Sequence, residues 1–213
     1  MTADGQFAHQ ICKGIGIFAF SLLLILGLSS AYANPQGPTA QPDATIQSYR
    51  DTDAYSIYAI LLESNNGSYF VIQAETESWA MATPENMGIK GDRTFYKIWG
   101  PVLNDYAGQF REPKIITQNI PVKASYELVT KQALEAVLKL PGNWRAFYDV
   151  YPQSNGYYWF SAVGFDPRRT HAIVSMNHSC GPICGGGDPH FFEKKNGKWQ
   201  EVTVQADVEV WRS

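Results

Sequence analysis

Two runs suited to strands, residues 190–195 and 198–204, meet at Asn196-Gly197. A two-residue connection of this composition closes a tight hairpin. Both central positions of the favoured turn need positive φ, which Asn and Gly tolerate. The constraint spreads backward along the chain. Residues 157–165 and 170–178 also read as strands, with Asp166-Pro167 starting the turn between them. Residues 179–188 read as a long Gly-rich loop. Consecutive hairpins of this kind make an antiparallel meander.

The preceding part of the chain is richer in helical spacing. Asp51 or Thr52 can cap a helix on which Tyr55, Tyr58, Ala59 and Leu62 recur, while Ile57, Ile60 and Leu61 cover its other sides. Asn65-Asn66-Gly67 ends it. Residues 69–74 predict a strand and 76–93 a loop. A second stripe runs through Phe95, Ile98, Trp99, Val102, Leu103, Tyr106 and Phe110. Gly100-Pro101 lies inside it and predicts a kink or two short helices, because proline lacks a donor and crowds the preceding turn. Residues 122–129 predict a strand. Thr130 caps a helix through Ala133, Leu134, Val137 and Leu138, stopped by Pro141-Gly142. Asn143 caps a short helix carrying Trp144, Phe147, Tyr148 and Tyr151, ended by Pro152. Helices first and strands last predict an α+β domain, with N-terminal helices packed on a C-terminal antiparallel β-meander.

Ahead of this lies an export signal. Lys13 precedes an apolar run over residues 15–28, and Ala31-Tyr32-Ala33 follows small residues, in the order of a secretory signal peptide with an A-x-A cleavage site. Fourteen helical residues rise only about 21 Å, short of a hydrocarbon core of about 30 Å. The expected organisation is a signal peptide over residues 1–33, a flexible lead-in rich in Pro, Gln, Ala and Thr over 34–48, and one globular domain over 49–213. The destination is secreted or periplasmic, with no membrane attachment after cleavage.

The formal net charge is −3, and removing Asp4 with Lys13 leaves it there. A nucleic-acid surface would be strongly basic, so none is expected. The expected partner is a ligand or another protein, and the sequence does not define the oligomeric state. Aromatic residues make up 14% of the chain. An aromatic core accounts for that at least as well as a carbohydrate-binding face does. Asn66 and Asn177 head N-x-S triplets, which matter only in a host that glycosylates exported chains.

The C-terminal third has a familiar pattern. It is carried by Trp144, Phe147-Tyr148, Tyr151-Pro152, Ser154, Gly156, and Ser161 with Val163-Gly164-Phe165. It continues through Cys180, Cys184, Gly185-Gly186-Gly187, Glu193-Lys194-Lys195, Gly197 and Trp199, with the helix over 55–62 and Trp211 also matching. In these residues the chain resembles a family of bacterial secreted or periplasmic proteins with no established activity. The resemblance implies a single exported domain and carries over no catalytic residue.

Reactive side chains are densest between His178 and His190. Cys180 and Cys184 are the two cysteines that remain after cleavage, and an oxidising compartment predicts a disulfide between them. Three other readings compete. His178, Cys180, Cys184 and His190 are zinc or copper ligand types, but the H-x-C-x3-C-x5-H spacing matches no common zinc module. A thiol-redox centre would use C-x-x-C opening a helix, whereas here the spacing is C-x-x-x-C with glycines following. Gly185-Gly186-Gly187 could cradle an anion on exposed N–H groups, or simply serve a hairpin loop that needs positive φ. No metal and no cofactor is expected.

Other nucleophiles and carboxylates are weaker candidates. Ser161 has no G-x-S-x-G elbow around it, and Ser179 neighbours His178 on a strand where adjacent side chains diverge. Glu63, Glu75 and Glu77 could pair in a glycosidase-like cleft, but Glu75 and Glu77 read as exposed alternate positions at a strand end. Arg168-Arg169 could dock an anion but reads as a solvated pair. The expected function is a non-enzymatic binding or interaction module stapled by the disulfide. The alternative is an exported hydrolase or metal-dependent enzyme using His178, Asp188 and His190. A deep cleft lined by those three would favour the enzyme, and a flat aromatic patch or an exposed sheet edge the binding module.

Overall fold

The computed structural model describes residues 45–213 apart from Gln118. The expected signal peptide and the lead-in up to residue 44 lie outside the described residues. The chain is a mixture of helices and strands. In order these are β1 (Gln47–Tyr49), α1 (Thr52–Ser64), β2 (Tyr69–Gln73), β3 (Ile89–Gly91), α2 (Arg93–Phe110), β4 (Lys114–Ile116), β5 (Ser125–Val129), α3 (Lys131–Leu138) and α4 (Trp144–Val150). They continue with β6 (Tyr157–Phe160), β7 (Gly164–Phe165), β8 (His171–Gly181), β9 (Cys184–Lys195), β10 (Lys198–Val202), β11 (Ala206–Val208) and β12 (Trp211–Arg212). Gln47 and Ser48, expected in the lead-in, already belong to β1, which pairs in parallel with β4.

Local chemistry sets most element ends. The Asp51 side chain accepts from the N–H groups of Asp53 and Ala54 at 3.1 and 3.2 Å and starts α1. Thr130 does the same for α3, accepting from the Ala133 N–H at 3.2 Å. Asn143 precedes α4, but its side chain makes no capping bond, and it sits at φ 50°. Asn196 and Gly197 have φ of 53° and 77°, the pair of positive values their turn demands.

Four further expectations change. Helix α2 runs unbroken through Gly100-Pro101. Pro101 and Lys97 are both exposed, so the Lys97 carbonyl that loses its partner faces water. The strand expected over 157–165 divides into β6 and β7 around Ser161, Ala162 and Val163. The Gly-rich segment is not a loop. Strand β8 extends to Gly181, β9 begins at Cys184, and only Pro182 and Ile183 turn the chain. The segment 76–93, expected as loop, also contributes a 3-10 turn at Pro84–Asn86 and strand β3.

The principal sheet has the order β10-β9-β8-β6-β2-β5, with β7 on β8 and β12 on β9. It is mixed. Strands β8, β9 and β10 are antiparallel neighbours, whereas β2 pairs in parallel with both β5 and β6. Strand β2 comes from the N-terminal half yet lies inside the sheet. Side chains alternate between faces, and the core divides accordingly. Phe70, Ile72, Tyr158, Phe160, Val174 and Phe192 pack with α1 on one face. On the other, Ile173 and Phe191 pack with α2, while Val71, Val129 and Tyr157 pack with α3 and α4. The second face therefore carries two separate helical layers. Strands β6 and β8 cross the band between them.

Candidate functional site

The strand register places side chains in rows across this band. Trp159 of β6 is opposite Asn177 of β8, Asn177 is opposite Gly187 of β9, and Gly187 is opposite Trp211 of β12. The Trp211 indole N–H donates to Asn177 Oδ1 at 2.7 Å, and Asn177 Nδ2 donates to Glu77 Oε2 at 2.9 Å. Asn177 is 4% exposed, and its amide is held between these two partners. In the next row, Ser161 Oγ accepts from the Ser175 N–H at 2.8 Å, and Tyr106 Oη from α2 bonds Ser175 Oγ at 2.8 Å. Burial pushes the Tyr106 hydroxyl up to about 12, which keeps it protonated. A polar band thus crosses a face that is apolar at both ends.

Aromatic rings line the same band. Trp144 is near-parallel to Tyr157 at 6.0 Å between centroids, Tyr157 lies 5.4 Å from Trp159, and Trp159 stacks with Trp211 at 5.9 Å. None of the four is fully buried. A cleft of about 680 Å³ opens beside them, bounded by Gln73, Glu75, Lys131, Gln132 and Trp159. A second hollow of about 350 Å³ lies toward Trp79, Asp188 and Trp211. Glu77 and Ser78 line both, which places Glu77 where the two hollows adjoin.

The strand-end carboxylates are not simply solvated. Glu75 and Glu77 are both partly buried and line the cleft, while Glu63 is exposed on α1. Glu75 accepts the Lys131 N–H at 2.7 Å, at the positive end of α3. Burial raises the Glu77 carboxyl above its ordinary 4.5, against the opposing pull of Asn177, Lys131 and Trp159. A raised folded-state value favours folding below the ordinary one, and that contribution is lost as pH rises through the folded value. Relative to Glu77→Gln, the wild type should therefore lose stability as pH climbs from about 4.5. Paired urea titrations across acid and neutral pH would show it, and a parallel dependence in both proteins would refute it.

The triple glycine has a different role from an anion cradle or a flexible loop. Gly185, Gly186 and Gly187 form the strand floor on which residues 211–213 dock. A Cβ on Gly187 would collide with the Asn177 amide oxygen and stand 2.5 Å from Trp211 Nε1. A Cβ on Gly186 would stand 2.9 Å from Arg212 Cδ. Glycine is a poor strand former, but here it lets a tryptophan lie across the sheet.

Cys180 and Cys184 form a disulfide across the two-residue turn, with Cα atoms 5.0 Å apart. Both sulfurs are therefore unavailable as thiolate ligands. Tyr148 Oη donates to the Cys180 carbonyl at 3.0 Å and ties the hairpin to α4. Reduction should cost about 2 kcal/mol, the chain-entropy value for so short a loop. Unfolding with and without reductant measures this, and a much larger loss would mean that the bridge holds more than its own turn.

His178, Asp188 and His190 share one face of the β8–β9 ladder but have different partners. His178 is opposite Gly186 and His190 opposite Val174, four positions away, or about 13 Å along the strand. His178 Nε2 donates to the Asn155 carbonyl at 2.9 Å, and its ring stacks on Tyr158. Burial lowers its pKa, against the opposing pull of the Asn155 carbonyl, and so favours the neutral ring. His190 Nδ1 bonds Glu201 at 2.6 Å, and Asp188 lies 3.5 Å from Arg212. Among the described residues no group of three or more His, Cys, Asp or Glu is placed to hold a metal ion. Arg169 is partly exposed but not merely solvated, since it reaches Asp51 at 2.6 Å and Asp53 at 3.1 Å.

Sequence reasoning passed over Trp159, Ser175, Asn177 and Trp211 as site residues. A readable signal was present: Ser175 and Asn177 alternate with core positions on a central strand, where a covered face would hold apolar side chains. No helix among the described residues is long and apolar enough to cross a membrane. Compared with protein-family models, curated proteins and solved structures, the chain matches none.

Proposed function

We propose that the domain is an exported, non-enzymatic binding module that takes its ligand in the groove centred on Glu77. The observation that carries this reading is the row of partly exposed rings, Trp144, Tyr157, Trp159 and Trp211, beside a half-buried carboxyl. Aromatic rings bury much area at little entropic cost, and a few fixed polar groups orient what lies on them. Export is supported by the A-x-A signal pattern and by the disulfide. The enzymatic alternative built on His178, Asp188 and His190 has less support, because His178 and Asp188 are engaged elsewhere, His190 is paired to Glu201 through Nδ1 with its Nε2 buried, and the two histidines lie far apart.

The test is a ligand screen by thermal shift. A ligand present at a hundred times its Kd stabilises by about 2.7 kcal/mol, a readable rise in Tm. Hits should lose this shift in Trp159→Ala and shrink in Glu77→Gln, with the folds of both variants checked by circular dichroism. Hits indifferent to both substitutions would place binding elsewhere and end this reading.

A further inference from the structure

We infer that the ligand of this groove is a neutral oligosaccharide lying along the aromatic row. The inference rests on the binding reading above and adds the chemistry of the ligand. The first argument is charge. Carboxylates line both hollows, yet nearly all are already engaged. Glu75 holds the α3 N-terminus, Glu135 lies 3.5 Å from Lys139, Asp188 lies 3.5 Å from Arg212, and Glu209 lies 4.0 Å from Lys90. Burial biases Glu77 toward its neutral form. A phosphate or nucleic-acid ligand would meet these carboxylates without a basic cluster to hold it. A polyamine would have to displace pairs already made. A ligand without net charge pays neither cost.

The second argument is shape. Tyr157 and Trp159 line the first hollow and Trp211 the second, and successive centroid separations of 5.4 and 5.9 Å make the three rings neighbours from one hollow to the next. A pyranose presents an apolar C–H face and a rim of hydroxyls, so several linked sugars match an extended row better than one does. The third argument is the polar edge. Gln73, Gln132, Ser78 and Glu77 line the groove, and together they both donate and accept. Hydroxyl groups, which do both, suit such an edge. Gln73 Nε2 already donates to the Glu75 carbonyl and Glu77 already accepts from Asn177, but a lipid chain would offer no partner to Gln132 and Ser78.

The experiment is titration calorimetry of the purified protein with cellohexaose, xylohexaose, maltohexaose and N-acetylchitohexaose. At least one should bind, more tightly than its disaccharide, with an affinity that barely changes with added salt. Trp159→Ala should weaken it about tenfold. Trp159→Phe, which keeps a ring and guards against misfolding, should weaken it less. If no hexasaccharide binds while the thermal-shift screen returns a Trp159-dependent ligand of another class, the sugar assignment falls and the binding reading stands. If a sugar binds equally well to the wild type and to both variants, the assignment of sugars to this groove falls. If no Trp159-dependent ligand of any class is found, both fall.

Discussion

Replacing Gly164 with alanine should destabilise the domain by about 3 kcal/mol, the upper end of what a single added methyl group costs in a packed interior. Gly164 is buried in β7, opposite Ile173. Its missing side chain lets α2 lie against the strand so closely that a Cβ would overlap the backbone of Tyr106. A flexible side chain could swing away, but a helix backbone can move only as a body. That helix carries Trp99, Leu103 and Tyr106 into the core, and Asp105 accepts the Phe165 N–H at 2.8 Å. Shifting α2 would also disturb the Tyr106–Ser175 bond, so the groove should change along with stability. Urea unfolding gives the first effect and ligand affinity the second. A loss below about 1 kcal/mol would mean that the sheet yields more readily than this packing implies.

Asp53→Ala should cost about 2–3 kcal/mol, the scale of charge-assisted bonds discounted for their remaining contact with water. Asp53 stands in the first turn of α1 and receives three donors from distant parts of the chain. Lys194 lies at 2.9 Å, the Trp199 indole N–H at 3.0 Å and Arg169 at 3.1 Å. Arg169 also stacks over Phe165 at 3.9 Å, and Lys194 lies over the Trp199 ring. Removing the carboxylate leaves two cations close together without their shared partner. Asp53→Asn, which keeps part of the bonding, should cost less. Burial works against ionisation of Asp53, but the bonds from Lys194, Trp199 and Arg169 outweigh it and hold the carboxyl below its ordinary 3.8. A lowered folded-state value gives stability that is present above the ordinary one and lost as pH falls through the folded one. The difference between wild type and Asp53→Asn should therefore shrink below about pH 3.8. A difference independent of pH would show that the interaction is not electrostatic.

What could be read from the sequence was local. Asp51, Thr130 and Asn196-Gly197 act within three or four residues of themselves, so capping and turn chemistry were visible without the rest of the fold. The band was not legible in the same way. Trp159, Asn177, Gly187 and Trp211 are brought into one row by pairing between four strands, and no local pattern encodes that register. The triple glycine misled for a physical reason. Glycine weakens a strand on its own account, and what makes it necessary here is a segment more than twenty residues further on. Gly100-Pro101 misled in the opposite sense, since the bond that proline forfeits lies on the solvent side of α2. Likewise, Glu75 and Glu77 look like an ordinary solvated strand end until Trp159 and α3 close around them.

The Trp159–Trp211 stack has an optical consequence. Two indoles 5.9 Å apart are close enough for their transition dipoles to couple, so the expected signature is a paired circular-dichroism band that disappears in Trp211→Ala. Trp211 is held there by one bond to Asn177 and a two-residue ladder on β9. Undocking of that segment would decouple the two chromophores while most of the sheet stayed intact. The groove thus carries a native spectroscopic gauge, without an added label, of whether its tryptophan wall is in place.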